Sequence, residues 1–121
     1  MYKGLEFKRE CKIDGASNEC HLAINIWDGV CRYYDTQCLI NSVKDGRHSN
    51  GSKHWRGDAF DGDTHDTDPQ TGTRYCKFGE PVENVISEFK RRLPKGFDVV
   101  YENTNGNEHL HCEYDPKSGE I

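Results

Sequence analysis

Apolar and polar positions along the chain predict two helices, of which the one at residues 81 to 93 is clearly amphipathic. Between residues 81 and 93 the apolar side chains recur at the spacing of one helix face. They are Val82, Val85, Ile86, Phe89 and Leu93. Pro81 suits the first turn, and the basic run KRR at the other end lies where the helix dipole favours positive charge. Residues 19 to 34 favour a second helix, more by the length of the segment than by its pattern.

The remaining patterned segments predict strands. Gln37 to Val43 is a short β-prone run that leads into a polar, glycine-containing stretch, which predicts a strand followed by a long loop. Residues 58 to 63 predict another strand, and residues 64 to 74 read as loop by composition. The runs FDVVYE and HLHCEY flank the turn-rich NTNGN and predict an antiparallel hairpin. Together these helices and strands predict an α+β fold with a small antiparallel sheet and two or three helices.

Length and composition limit the kinds of protein to consider. A chain of 121 residues is the size of one domain, so residues 1 to 121 are expected to form a single unit. The net charge of −5 is spread along the chain, which argues against a nucleic-acid partner. No run of apolar residues is long enough for a membrane span or a signal peptide, and we expect a monomer without a membrane anchor.

The chain contains six cysteines, an even number that suggests disulfides in an oxidising environment. None of them forms a CxxC pair, which argues against a zinc ribbon or a thioredoxin-like motif. The cysteine content therefore suggests that the protein acts outside the cell, whereas the lack of a signal peptide argues against secretion. Release by cell lysis, after synthesis in the cytoplasm, would satisfy both observations.

Two short segments bring together the side chains that a metal requires. Residues 52 to 61 contain His54 and Asp61, and residues 108 to 111 contain two further histidines and a glutamate. Catalytic zinc usually takes three protein ligands and leaves a fourth position for water. One His and one Asp from the first segment, with one His from the second, would meet that requirement. Gly57 and Ala59 would let the intervening backbone bend so that the two side chains converge.

The first segment also matches the signature of a known family. Residues 52 to 61 fit SxHxxGxAxD at every fixed position, and Glu108 and His111 supply the acid-x-x-His that follows in that family. The chain thus resembles the zinc D-Ala-D-Ala carboxypeptidase and L-Ala-D-Glu endopeptidase superfamily over roughly residues 19 to 117. It looks most like the short phage-encoded members, which include endolysins.

The resemblance implies a role for each matched residue. His54, Asp61 and His111 would hold one Zn²⁺ ion within the fold of this superfamily, and Glu108 would be the general base. Ser52 would hydrogen-bond a ligand and orient it. Family members also use a cation upstream of the first motif, for which Lys44 and Arg47 are the candidates here. We favour Arg47, because a guanidinium can hold an oxyanion or carboxylate through two hydrogen bonds.

Two questions stay open at the level of sequence. In a strand, His109 and His111 point to the same side, so His109 is an alternative to Glu108 as the base or a group that supports the ligands. The acidic run after Asp61 differs from the family pattern, since relatives generally carry an apolar residue there. Asp63 or His65 could therefore assist the metal site or compete for the metal.

The resemblance therefore implies a zinc metallopeptidase that hydrolyses a peptide bond in bacterial peptidoglycan stem peptides or cross-links, as an endolysin does. The first alternative is a carboxypeptidase that removes a terminal D-Ala, and it requires a cation for the free carboxylate. The second alternative is a zinc-binding module on the same fold that has no catalytic activity.

Overall fold

The computed structural model describes residues 1 to 8, 11, 16 to 43, 58 to 104 and 107 to 115. Lys44, Arg47, Ser52 and His54 lie outside the described residues. The elements are listed here in chain order: β1 Leu5–Phe7, α1 Asn18–Tyr33, β2 Cys38–Val43, β3 Ala59–Asp63, β4 His65–Thr67, β5 Arg74–Cys76, α2 Val82–Arg92, β6 Phe97–Thr104 and β7 Asn107–Tyr114. The fold is α+β, as predicted.

The main sheet has five strands in the order β1-β2-β3-β7-β6. All neighbours are antiparallel except β1 and β2, which run parallel. The prediction of a purely antiparallel sheet is therefore wrong at this edge, because the short N-terminal strand, which the sequence pattern did not reveal, joins β2 in parallel. The C-terminal hairpin is confirmed as β6 and β7.

A second sheet of two strands, β4 and β5, occupies part of the predicted loop between residues 64 and 74. The turn between these strands is closed by backbone hydrogen bonds from Asp68 N to Thr73 O and from Gly72 N to Asp68 O. Gly72 has a φ of 74°, a conformation that glycine adopts without steric cost. The loop prediction was wrong here because the strands are short and polar and carry no hydrophobic alternation.

The two helices begin and end close to the predicted positions. Ser17 caps α1 by accepting a hydrogen bond from the backbone N–H of Cys20 at 3.0 Å, and Pro81 precedes the first residue of α2. Among the described residues, no helix is long and apolar enough to cross a membrane.

Both helices pack on the same face of the main sheet, around Trp27 of α1. The ring of this tryptophan is fully buried and lies 5.1 Å from the ring of Phe89 and 5.4 Å from that of Phe78, measured between centroids. Gly62 of β3 faces the same ring, and a Cβ atom at that position would lie 2.8 Å from Trp27 Nε1. The missing side chain of Gly62 thus allows α1 to approach the strand that carries Asp61.

Candidate metal centre

The site begins with two residues that lie directly opposite each other on neighbouring strands. Asp61 of β3 is in register with His111 of β7, so their side chains emerge on the same face of the sheet. His111 Nδ1 lies 2.8 Å from Asp61 Oδ1. A β-bulge between Ile40 and Ser42 interrupts the pairing of β2 beside Asp61. Two of the three predicted metal ligands are therefore brought together.

A second carboxylate holds the other nitrogen of the same imidazole. Glu113 is two residues beyond His111 on β7, and its Oε1 lies 3.0 Å from His111 Nε2. With both ring nitrogens protonated, His111 donates one hydrogen bond to each carboxylate. The hydrogen bond to Asp61 is the main cause that raises the pKa of His111 to about 9, against the opposing effect of burial and with further help from Glu113.

His109 lies on the same face, two residues before His111. Its Nε2 is 2.9 Å from Oε1 of Glu102, the residue opposite it on β6. One ligand atom from each of Asp61, Glu102 and His109 falls within 4.8 Å of the others, and these three residues form a candidate metal-binding triad. Asp61 therefore contacts His111 and also lies near the Glu102–His109 pair.

Glu108 lies on the opposite face of the sheet from these residues. Along β7 the burial alternates, and Glu108 is buried on the same side as Leu110 and Cys112. Its Oε1 accepts a hydrogen bond from Arg74 Nε at 3.1 Å, and its Oε2 lies 3.9 Å from His65 Nε2. The structure therefore joins Glu108 to the β4–β5 hairpin and does not bring it together with Asp61 and His111.

The other acidic and histidine residues of this region have partners of their own. Asp63 Oδ2 lies 3.4 Å from Nζ of Lys77, whose side chain is almost fully buried. Burial raises the pKa of Asp63, and the charge of Lys77 opposes that shift. His65 Nδ1 lies 2.9 Å from the Thr64 hydroxyl. Neither Asp63 nor His65 contributes to the pair formed by Asp61 and His111.

Sequence reasoning missed Glu102 and Glu113. Both residues could have been predicted if the observed register had been assumed for the hairpin. In that register Glu102 pairs with His109, and Glu113 shares a face with His111. The turn NTNGN allows more than one register, however, and a shift by one residue would turn these side chains to the other face. Only the observed pairing shows the contacts of this cluster: His111 with Asp61 and Glu113, and His109 with Glu102.

No protein-family model, no curated protein and no solved structure matches this chain. The membership of the zinc peptidase superfamily therefore stays a prediction from the motif, and the site is described by its own geometry. That geometry gives a carboxylate and histidine cluster on the face of the sheet away from the two helices, and three of its side chains could hold a metal ion.

Proposed function

We propose that this protein is a zinc-dependent metallopeptidase that hydrolyses a peptide bond in bacterial peptidoglycan. The observation that carries the proposal is the contact of 2.8 Å between Asp61 Oδ1 and His111 Nδ1. These residues are fifty positions apart in the chain, and each belongs to one of the two motifs that resemble the peptidase family. A carboxylate and an imidazole that converge in this way are two of the three ligands expected at a catalytic zinc.

The donor set fits a zinc ion. Asp61 and His111 would hold the metal, with His54 of the same motif as the third ligand. Glu113 supports this assignment, because metal-ligating histidines usually donate their second ring N–H to a carboxylate that fixes the orientation of the ring. When bound, zinc lowers the pKa of a coordinated water and polarises the carbonyl of the substrate.

His109 is the proton acceptor that the geometry favours. It shares the face of Asp61 and His111, whereas Glu108 is on the other face. His109 Nε2 lies 2.9 Å from Glu102 Oε1, and Nδ1 lies 3.3 Å from the backbone carbonyl oxygen of Asn107, so each ring nitrogen faces an acceptor. The neutral ring can take up a proton on the nitrogen that carries none. The carboxylate of Glu102 would stabilise the imidazolium that forms, and the same proton can then pass to the leaving amine.

The proposed substrate class follows from the family resemblance and from the expected release of the protein by cell lysis. An endopeptidase would cut within the stem peptide or a cross-link, as an endolysin acting at the cell wall does. A carboxypeptidase would remove a terminal D-Ala and would fail on a peptide whose C-terminus is blocked. Cleavage of C-terminally amidated peptides therefore separates the two activities.

Mass spectrometry of digested peptidoglycan tests the proposal. The zinc-loaded protein is incubated with purified walls of several chemotypes, beside a chelator-treated sample and the His111→Ala variant. We expect new fragments with a freed stem-peptide amine or a lost D-Ala, and neither control should produce them. If the zinc-loaded protein yields no new fragments from any wall type, the proposed peptidase activity is wrong.

A metal-binding module without catalytic activity is the second candidate, and the Asp61–Glu102–His109 triad favours it. In that case the metal would use Glu102 and His109 as ligands, and His109 would not be available as the base. Glu102→Gln separates the two candidates. The peptidase should retain its zinc in this variant, because Asp61 and His111 hold it, whereas the module should lose its metal.

A further inference from the structure

A cleft of about 540 Å³ adjoins the candidate metal centre. Its walls come from the end of α2 and the residues that follow it, from β6, and from His111 and Glu113 of β7. A molecule in this cleft therefore touches one of the proposed metal ligands and the carboxylate that orients it.

The strand β6 gives the cleft the form of a sheet edge. It is the last strand in the order of the main sheet, with β7 on one side and no described strand on the other. An extended peptide can pair with such an edge through backbone hydrogen bonds. Val100 lies in register with His111, and 49% of its surface is exposed. It offers an apolar contact for a substrate side chain next to the site.

Lys90 is the cation that lines this cleft. The last turn of α2 contains three basic residues, and two of them, Arg91 and Arg92, are paired with the carboxylate of Glu88. In the described part of the chain Lys90 makes no ion pair, and it alone of the three contributes to the wall of the cleft. Its amino group is therefore available to a ligand.

The positive and negative side chains that line the cleft lie on opposite sides of the edge strand β6. Lys90 belongs to α2, which packs on the helix-covered face of the sheet. The acidic residues of the lining, Asp98 and Glu113, lie in register on β6 and β7, and Glu113 is hydrogen-bonded to His111 on the face away from the helices. A negatively charged group is therefore attracted to the side of the cleft that Lys90 forms and repelled from the other side.

We propose that this cleft binds the substrate as an extended peptide along β6 and that Lys90 binds a carboxylate of that peptide. The inference rests on the proposed peptidase function, and it assigns to a residue of α2 the role expected of Lys44 or Arg47. A stem peptide can supply the carboxylate from its C-terminus or from the α-carboxyl group of its D-Glu residue. The chemistry at Lys90 is the same in both cases.

Steady-state kinetics with synthetic stem pentapeptides tests the role of Lys90. Lys90→Met is compared with Arg91→Met, a change in the same helical turn at a residue outside the cleft. We expect Lys90→Met to raise KM by about tenfold with little change in kcat, as for the loss of one partly exposed charged hydrogen bond. Arg91→Met should retain the wild-type KM.

Two neutralised peptides identify the source of the carboxylate. One has a C-terminal amide and the other has D-isoglutamine in place of D-Glu. The peptide that lacks the relevant carboxylate should show a raised KM with the wild-type protein and no further increase with Lys90→Met. If Lys90→Met has the wild-type KM on every peptide, or raises KM equally on charged and neutralised peptides, the proposal that Lys90 binds a substrate carboxylate is wrong.

The same assay distinguishes failure of this inference from failure of the proposed function. Turnover by the wild-type protein that a chelator abolishes supports the peptidase, whatever Lys90→Met does. If the metal-loaded wild type cleaves no peptide, the peptidase proposal fails, and binding of the pentapeptide is then measured by NMR titration. If the pentapeptide binds Lys90→Met more weakly than Arg91→Met, the result still supports peptide binding in the cleft. Equal binding to both variants, or no binding, would overturn the proposal.

Discussion

At the scale of single residues, Asp61 is the centre of the site because it contacts His111 and also lies near Glu102 and His109. Its Oδ1 is bonded to His111 Nδ1, and its carboxylate also lies within 4.8 Å of the ligand atoms of Glu102 and His109. The roles of these neighbours can be separated by substitution.

His109→Ala should reduce kcat by roughly 100-fold or more, because it removes the proposed proton acceptor, and it should leave the zinc in place. Glu108→Gln is the matched change on the other face of the same strand. It should keep turnover within a few-fold of the wild type and lower the melting temperature, since Glu108 joins β7 to Arg74 of β5. Peptide turnover, zinc content and thermal unfolding are measured on both variants.

The opposite pattern would restore the role that the motif implies for Glu108. In that pattern Glu108→Gln retains its zinc and its melting temperature but has lost turnover, while His109→Ala is still active. The geometry of β7 argues against it, because Glu108 and His111 are three residues apart on a regular strand and therefore point to opposite faces.

At the scale of elements, the site depends on the registers of three strands and on the close packing of one helix. β3 brings Asp61 opposite His111, and β6 brings Glu102 opposite His109. The helix α1 holds β3 from the other face through the contact between Trp27 and Gly62. A change at this contact should therefore affect both stability and the position of Asp61.

Gly62→Ala should destabilise the protein by about 1–3 kcal/mol, because the new methyl group would meet the buried Trp27 ring and the core has no room for it. Gly29→Ala is the control. Gly29 lies inside α1, and a Cβ atom there meets only Arg92 Nη1 at 3.6 Å, so alanine should stabilise the helix by about 0.5–1 kcal/mol. Denaturant unfolding measures both effects, and equal stability of the two variants would contradict this account of the packing.

At the scale of the whole molecule, the protonation of His111 links the site to the stability of the fold. In the metal-free protein the pKa of His111 is raised from 6.5 to about 9, chiefly by its hydrogen bond to Asp61. The folded state therefore holds this proton more tightly than the unfolded state does. The stabilisation is complete below pH 6.5 and is lost as the pH rises through the folded-state value.

The free energy of unfolding of the metal-free protein should accordingly fall between about pH 6.5 and 9. The part of this window below pH 8 is the most specific to His111. Buried thiols such as Cys20, whose pKa is raised from 9.0 to about 12 by burial, add a similar loss only at higher pH. Denaturant unfolding in the presence of a chelator gives the profile, and His111→Asn should flatten it below pH 8. A wild-type profile that is already flat there would contradict the strength of the Asp61–His111 contact.

The sequence by itself determined the elements whose patterns are local. The apolar spacing of α2, the length of α1 and the hairpin of β6 and β7 were predicted from it, and so were Asp61 and His111 as partners at one site. The helices and the hairpin follow from local periodicity, length and turn residues. The choice of Asp61 and His111 came from the resemblance to the family motif. The short polar strands β4 and β5 and the parallel strand β1 have no such local signal and were missed.

Only the tertiary structure decided which side chains share a face and what each one touches. The register of β6 and β7 brings Glu102 to His109, turns Glu108 toward Arg74 and gives His111 its second carboxylate, Glu113. The packing of α2 beside β6 sets Lys90 at the cleft. Each of these outcomes depends on strand pairing, where a shift of one residue reverses the faces, and the local sequence does not specify that choice.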